Sequence, residues 1–317
     1  MWMPVLKSLS GFAALYAGGE LLVYGSVGIA RRLRIPLMLI GLTVVSMATS
    51  MPEIMVAIRS ALDGVPDLAV GNVVGTNIVN IYLILAIAAL IMPIVIDKRA
   101  IRHNLVIMIG ASGLLLTVGL LFGEVGFATG IVFLTALVGY YVYSYYHAQA
   151  TDEHPDEVLD DIKDVSSLFI GLLYTVIGVA ALTLGAHWLV DGARTIADLY
   201  GVSQVVIGLT VVAIGTSLPE LTLCVIGAMR GHSEIAFGNI VGSHTINILA
   251  VLGVAAMIRP IPINPTLVRF DIPLLFILTI LLAIILEWRG KLTRAIAVLF
   301  LGIYVAFVAS TLLIIVR

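Results

Sequence analysis

The sequence predicts an all-α polytopic membrane protein with ten transmembrane helices, arranged as two inverted five-helix repeats. Composition is the first ground. Of the 317 residues, 61% are hydrophobic and 11% charged, a balance soluble globular domains do not show. An internal repeat is the second. Gly41–Glu53, GLTVVSMATSMPE, returns as Gly208–Glu220, GLTVVAIGTSLPE, with every residue displaced by 167 positions and nine of the thirteen identical. The same displacement carries Gly71–Asn80 onto Gly238–Asn247, Gly18 onto Gly185 and Gly25 onto Gly192. Third, each copy sets a Thr-Ser-x-Pro-Glu element inside an apolar stretch, and a carboxylate inside a membrane usually marks an ion or substrate pathway.

Taken in order, the apolar runs give spans near 5–30, 36–61, 68–92, 102–121, 126–147, 167–191, 205–229, 234–257, 271–288 and 294–315. About 20 apolar residues cross a ~30 Å hydrocarbon layer. The first run carries only Lys7 early and continues past Glu20, so it reads as a retained span and not a cleaved signal peptide. Residues 1–147 form the first repeat, with its motif at 41–80. Residues 148–166 form an acidic linker, and 167–317 form the second repeat, with its motif at 208–247. Five spans per copy is an odd number, so the second copy enters the membrane in the opposite sense. Eleven of the seventeen Lys and Arg residues fall in the linker and in loops after odd-numbered spans. The positive-inside tendency then places both termini outside and the linker in the cytoplasm of a cell (inner) membrane protein. Tyr140, Tyr141, Tyr143, Tyr145 and Tyr146 read as an interfacial aromatic belt. The single Cys224 excludes a disulfide framework or a thiolate metal cage. No basic patch suggests nucleic acid.

The repeated element has a direct chemical reading. Pro52 and Pro219 lack an N–H and reject the carbonyls four residues back, at Ala48 and Gly215. Inside a membrane, freed carbonyls are tolerated only where protein, water or an ion satisfies them. Thr49, Ser50, Thr216 and Ser217 add hydroxyl oxygens, and Glu53 and Glu220 follow one turn on. An oxygen-only ligand set suits Ca²⁺, Na⁺ or Mg²⁺ and not zinc or copper. Two glutamates match one divalent cation in charge, and broken helices meeting at the midplane of inverted repeats are a secondary-transporter design. The next helix of each copy offers Thr76 and Asn80, or Ser243 and Asn247, each pair on one helical face. Gly71-x-x-x-Gly75 and Gly238-x-x-x-Gly242 allow close backbone approach to a neighbour.

At these residues the chain resembles the cation/calcium exchanger superfamily, and within it the short sodium/calcium antiporters. The resemblance rests on the paired Gly-Thr-Ser-Leu-Pro-Glu and Gly-Asn-x-x-Gly-Ser-Asn-x-x-Asn patterns. It implies that Glu53 and Glu220 bind Ca²⁺, with the Thr49 and Thr216 carbonyls completing that site. It further implies sodium sites at Ser50, Ser217, Thr76, Ser243 and the carbonyls of Ser46 and Ala213, with Asn80 and Asn247 lining the centre. The implied activity is not enzymatic. It is alternating-access exchange of three Na⁺ for one Ca²⁺ by a monomeric transport unit in the bilayer, electrogenic and without a cofactor. This chain departs from the pattern at Met47-Ala48 and Met51, at Thr76, and at His244, which stands where copy one has Asn77. His244 keeps a proton-coupled cation exchanger as the alternative.

Plainer readings compete at several positions. Glu53 and Glu220 could serve structural hydrogen bonds, and Asn80, Asn247, Thr76 and Ser243 could be interhelical glue. Asn72 and Asn239 read as helix caps, and Glu20 and His187, equivalent in the two copies, as interior or helix-end polar groups. His244 reads as a satisfied core histidine, and Glu287 with Arg289 as a surface pair. An intramembrane hydrolase using Ser217 with a histidine base fails because Ser50 is duplicated whereas His244 is not. A passive channel is disfavoured because paired anionic ligands at one depth favour tight binding over throughput.

Overall fold

A computed structural model describes residues 2–95, 98–150, 167–200 and 215–316. Residues 151–166 of the expected linker and the expected ligand Ala213 lie outside the described residues. The helices are α1 (Trp2–Leu33), α2 (Leu37–Thr49), α3 (Met51–Asp63), α4 (66–91), α5 (Lys98–Phe122) and α6 (Phe127–Ala150). The second half supplies α7 (Leu168–Leu199), α8 (Leu218–Met229), α9 (Ser233–Ile258), α10 (Leu267–Arg289) and α11 (Arg294–Val316). Among the described residues, seven helices are long and apolar enough to cross a membrane, or eight if the bent pair α2–α3 is one span. α8 and the apolar stretch Arg294–Ala309 are shorter.

Local structure repeats with the sequence. Both α4 and α9 loosen into a π turn at the motif asparagine, over Asn80–Ile84 and Asn247–Val251. Two short antiparallel ribbons tie the halves together: β1 (Ile94–Val95) pairs with β4 (Lys291–Leu292), and β2 (Glu124–Val125) with β3 (Ile261–Pro262). Displacement by 167 converts β1 into β3 and β2 into β4, so each ribbon is the image of the other.

α1 and α7 run antiparallel along a ladder of glycines seven residues apart: Gly11, Gly18 and Gly25 face Gly185, Gly178 and Gly171 in turn, and Gly192 packs on Pro4 and Ser8. A Cβ on Gly18 would lie 2.7 Å from the Leu182 amide nitrogen, and one on Gly178 would lie 2.7 Å from that of Leu22. Only hydrogen fits at such a crossing, and lipid-embedded helices associate through this kind of close packing. α4 and α9 are largely enclosed by protein, whereas α6 and α7 turn most of their surface outward. Large apolar side chains stand outward there, such as Val142 on α6 and Phe169 on α7, as do Leu120, Leu121 and Phe122 at the end of α5. The expected tyrosine belt divides. Tyr143, Tyr145 and Tyr146 are exposed, but Tyr140 is buried and donates to Asn104 Oδ1 at 3.2 Å. Consecutive helical positions point in different directions, so five nearby tyrosines cannot all face the interface.

Candidate ion site at the broken helices

The break between α2 and α3 falls at Ser50 (φ −82°, ψ 4°), and the two segments meet at 44°. Pro52 occupies the first turn of α3, where a missing N–H costs no hydrogen bond and the fixed φ suits helix initiation. Pro219 starts α8 in the same way after Ser217 (φ −93°, ψ 6°). Glu53 and Glu220 therefore both sit in the first turn of a helix. The positive end of the helix dipole there favours negative charge. Both glutamates are fully buried, and Glu220 lies within electrostatic reach of Glu53 and beside Thr49. Thr49 donates its hydroxyl hydrogen to Asn239 Oδ1 at 3.0 Å. The four carboxylate oxygens of the two glutamates have no hydrogen-bond partner among the described residues.

Other sequence-derived candidates share this feature. The Ser50, Ser217 and Ser243 hydroxyls, both amide atoms of Asn80 and Asn247 Oδ1 are buried without a partner. Ser46 is buried and donates back to the Leu42 carbonyl at 2.6 Å, while Thr76 is buried on α4. Buried polar atoms of this kind are costly unless satisfied, and unpaired carboxylates are the costliest. A bound cation coordinated by oxygen relieves that cost, so the donor set fits hard cation cargo.

Packing brings the two halves onto this centre. A Cβ on Gly238 would lie 2.6 Å from the Met38 carbonyl oxygen, and one on Gly242 2.5 Å from that of Leu42. The α9 glycines thus let its backbone touch α2, as the motif implied. Gly71 and Gly75 meet nothing within 4 Å among the described residues.

Several expectations need correction. Asn72 and Asn239 are not caps: both lie inside helices, since α4 begins at Pro66 and α9 at Ser233. Asn239 instead holds Thr49 across the interface. His244 is only half satisfied, with Nε2 2.7 Å from Ser112 Oγ and Nδ1 unpartnered. Ser112 donates to the Met108 carbonyl and Thr279 to that of Leu275. Ser112 Oγ therefore sits between the His244 ring, the Met108 carbonyl and Thr279. Glu287 approaches Arg102 at 3.8 Å instead of pairing with Arg289. Glu20 is an interior group of α1 held by Arg230 at 2.7 Å, whereas His187 is 67% exposed.

Three groups escaped the sequence reading: Asn77, Ser112 and Thr279. Asn77 donates to the His244 carbonyl at 3.3 Å and accepts from Asn247 at 3.0 Å, and Ser112 lies 3.5 Å from Thr279. Asn77 and His244, like Ser112 and Thr279, are 167 positions apart. Each residue thus touches its own repeat equivalent. The displacement pairs them as equivalent positions, but their contacts are what single them out.

The comparisons agree with this geometry. The family model for sodium/calcium exchanger protein matches residues 4–146 and 170–313. The inner membrane protein YrbG of Escherichia coli is 33% identical over 316 residues, covering 98% of this chain and 97% of that protein. The sodium/calcium exchanger MaX1 of Methanosarcina acetivorans is 28% identical over 341 aligned positions, covering 94% and 95%. A solved structure of the sodium-calcium exchanger NCX_Mj, soaked with zero Na⁺ and Ca²⁺, superposes with a TM-score of 0.84 at 30% identity, covering 98% of this chain and 99% of that one. With two matched halves, full-length relatives and a shared helical architecture, the chain belongs to the sodium/calcium exchanger protein family.

Proposed function

We propose that this membrane cation/calcium exchanger couples Na⁺ entry to Ca²⁺ exit by alternating access. The observation that carries the proposal is the buried pair Glu53 and Glu220, contributed by equivalent positions of the two repeats, whose four carboxylate oxygens are buried without a hydrogen-bond partner among the described residues. Two carboxylates neutralise one Ca²⁺. The Thr49 and Thr216 carbonyls complete its shell, and Asn80 and Asn247 line the centre. Sodium occupies flanking positions at Ser50, Ser217, Thr76 and Ser243 and at the carbonyls of Ser46 and Ala213.

In this proposal ten spans form two inverted five-helix repeats, 1–147 and 167–317, joined by the cytoplasmic linker 148–166. The mirrored ribbons support the reading, because odd-numbered loops (β1 with β4) pair only with each other, and so do even-numbered ones (β2 with β3). The relatives' names as sodium/calcium exchangers support Na⁺ as the driving ion. Uptake of ⁴⁵Ca into proteoliposomes under an imposed Na⁺ gradient at fixed pH tests it. Uptake that follows a pH gradient and ignores Na⁺ would replace it with proton-coupled exchange.

A further inference from the structure

The structure assigns Glu20, Arg230, Asp63 and His187 as positioning residues that form alternative ion pairs in the two access states, Glu20 with Arg230 in one and His187 with Asp63 in the other. The inference rests on the inverted-repeat reading above. When two repeats exchange conformations, a contact between residues i and j is replaced by the contact between their equivalents. Displacement by 167 carries Glu20 onto His187 and Asp63 onto Arg230. The pair Glu20–Arg230 therefore maps onto His187–Asp63, and the mapped pair again joins a basic to an acidic group with the polarity reversed. Contacts between a residue and its own equivalent, such as Ser112–Thr279 and Asn77–His244, map onto themselves and survive the exchange.

Only one of the two mapped pairs is made here. Arg230 donates from Nε at 3.1 Å and from its terminal nitrogen at 2.7 Å to the same Glu20 oxygen, and the Glu20 side chain is 16% exposed. Tyr16 and Tyr24 also face the guanidinium. The contact joins α1 to the end of α8, where Gly19 also meets Ile226 and Thr222. Asp63 meanwhile bonds to Arg59 at 2.7 Å within its own helix, with Arg259 over the adjacent Gly64. His187 lies 3.6 Å from Asp191, which Lys7 already holds at 2.7 Å. Exposed pairs of this kind are weak and readily exchanged. The end that carries Arg230 is thus closed by the pair in place, and the opposite end holds the unmade pair in waiting.

Double-cysteine variants in a Cys224→Ala background test this in proteoliposomes with a short bifunctional methanethiosulfonate. E20C/R230C and D63C/H187C should each cross-link, and each cross-link should abolish ⁴⁵Ca flux present before the reagent. Arg230→Gln, which weakens the present pair, should raise the D63C/H187C cross-linking rate threefold or more. Asp63→Asn should raise that of E20C/R230C. A purely structural role would slow or destabilise without these opposite shifts. D63C/H187C that never bridges in actively exchanging protein, or a rate indifferent to Arg230→Gln, overturns the proposal. Thiol labelling that places the linker and the C-terminus on opposite faces checks the inverted repeat separately, so a failed ion-pair exchange is distinguishable from a failed topology.

Discussion

In the proposed exchange Glu53 and Glu220 carry the chemistry, and their four buried carboxylate oxygens have no hydrogen-bond partner among the described residues. Glu53→Gln and Glu220→Gln each remove half of the charge that balances a divalent cation. Removing one partner from a buried charged set costs about 3–5 kcal/mol. Calcium affinity should therefore fall more than roughly a hundredfold in either variant, with similar losses in both and little change in thermal stability. Isothermal titration and ⁴⁵Ca flux measure this, and full flux in either variant would sink the carboxylate-pair site. These two glutamates were legible in the sequence because proline, hydroxyl and carboxylate recur together. Ser112 and Thr279 were not, because each lies in an otherwise apolar helix with no motif around it, and only the three-dimensional contact singles it out. Asn239 was misread for a different reason: the apolar run already set the span at 234–257, which puts Asn239 inside the helix and not at its cap, and the partner it holds, Thr49, is 190 positions away in the chain.

Among the elements, the α1–α7 ladder is the most tightly specified. A Cβ at Gly18 already falls 2.7 Å from a backbone nitrogen and 2.8 Å from the Gly178 carbonyl oxygen, so a larger side chain must push the helices apart. Overpacking typically costs about 1–3 kcal/mol. Gly18→Leu should lower the melting temperature in detergent and depress exchange, and Gly139→Leu, where a Cβ meets nothing within 4 Å, should do neither. Equal tolerance at both positions would mean that the ladder is incidental. The sequence announced part of this element, since Gly18 and Gly25 repeat at Gly185 and Gly192, but the displacement does not say that the two copies of the stripe face each other. The ribbons were invisible beforehand. Two-residue strands carry no periodicity, and their partners are 136 or more positions away in the chain.

For the whole molecule, the proposed inverted repeat makes a topological and an electrical prediction. A cysteine near Arg317 should be labelled from outside in sealed, right-side-out cells, while one near Asp156 should not, because eleven of seventeen basic residues mark the linker side. Labelling of the linker would overturn the inversion. The electrical prediction follows from the charges in the site. The repeated segments 41–53 and 71–80, with their equivalents 208–220 and 238–247, contain two acids, Glu53 and Glu220, and Asn80 and Asn247 at their ends are neutral. With both acids ionised, a Ca²⁺-loaded site carries no net charge, and a site loaded with three Na⁺, as the family resemblance implies, carries one excess positive charge. A potential of ~100 mV acts on a charge that crosses the full membrane with about 2.3 kcal/mol. An inside-negative potential should therefore speed Na⁺-driven Ca²⁺ exit and slow the reverse exchange, measured as ⁴⁵Ca flux in proteoliposomes clamped with valinomycin and K⁺. Asn247→Asp supplies the internal check: an added aspartate that ionises cancels the excess charge of the sodium-loaded form and reduces the voltage effect on that step. Flux that ignores the clamp in the unmodified protein would instead require an electroneutral exchange of two Na⁺ for each Ca²⁺.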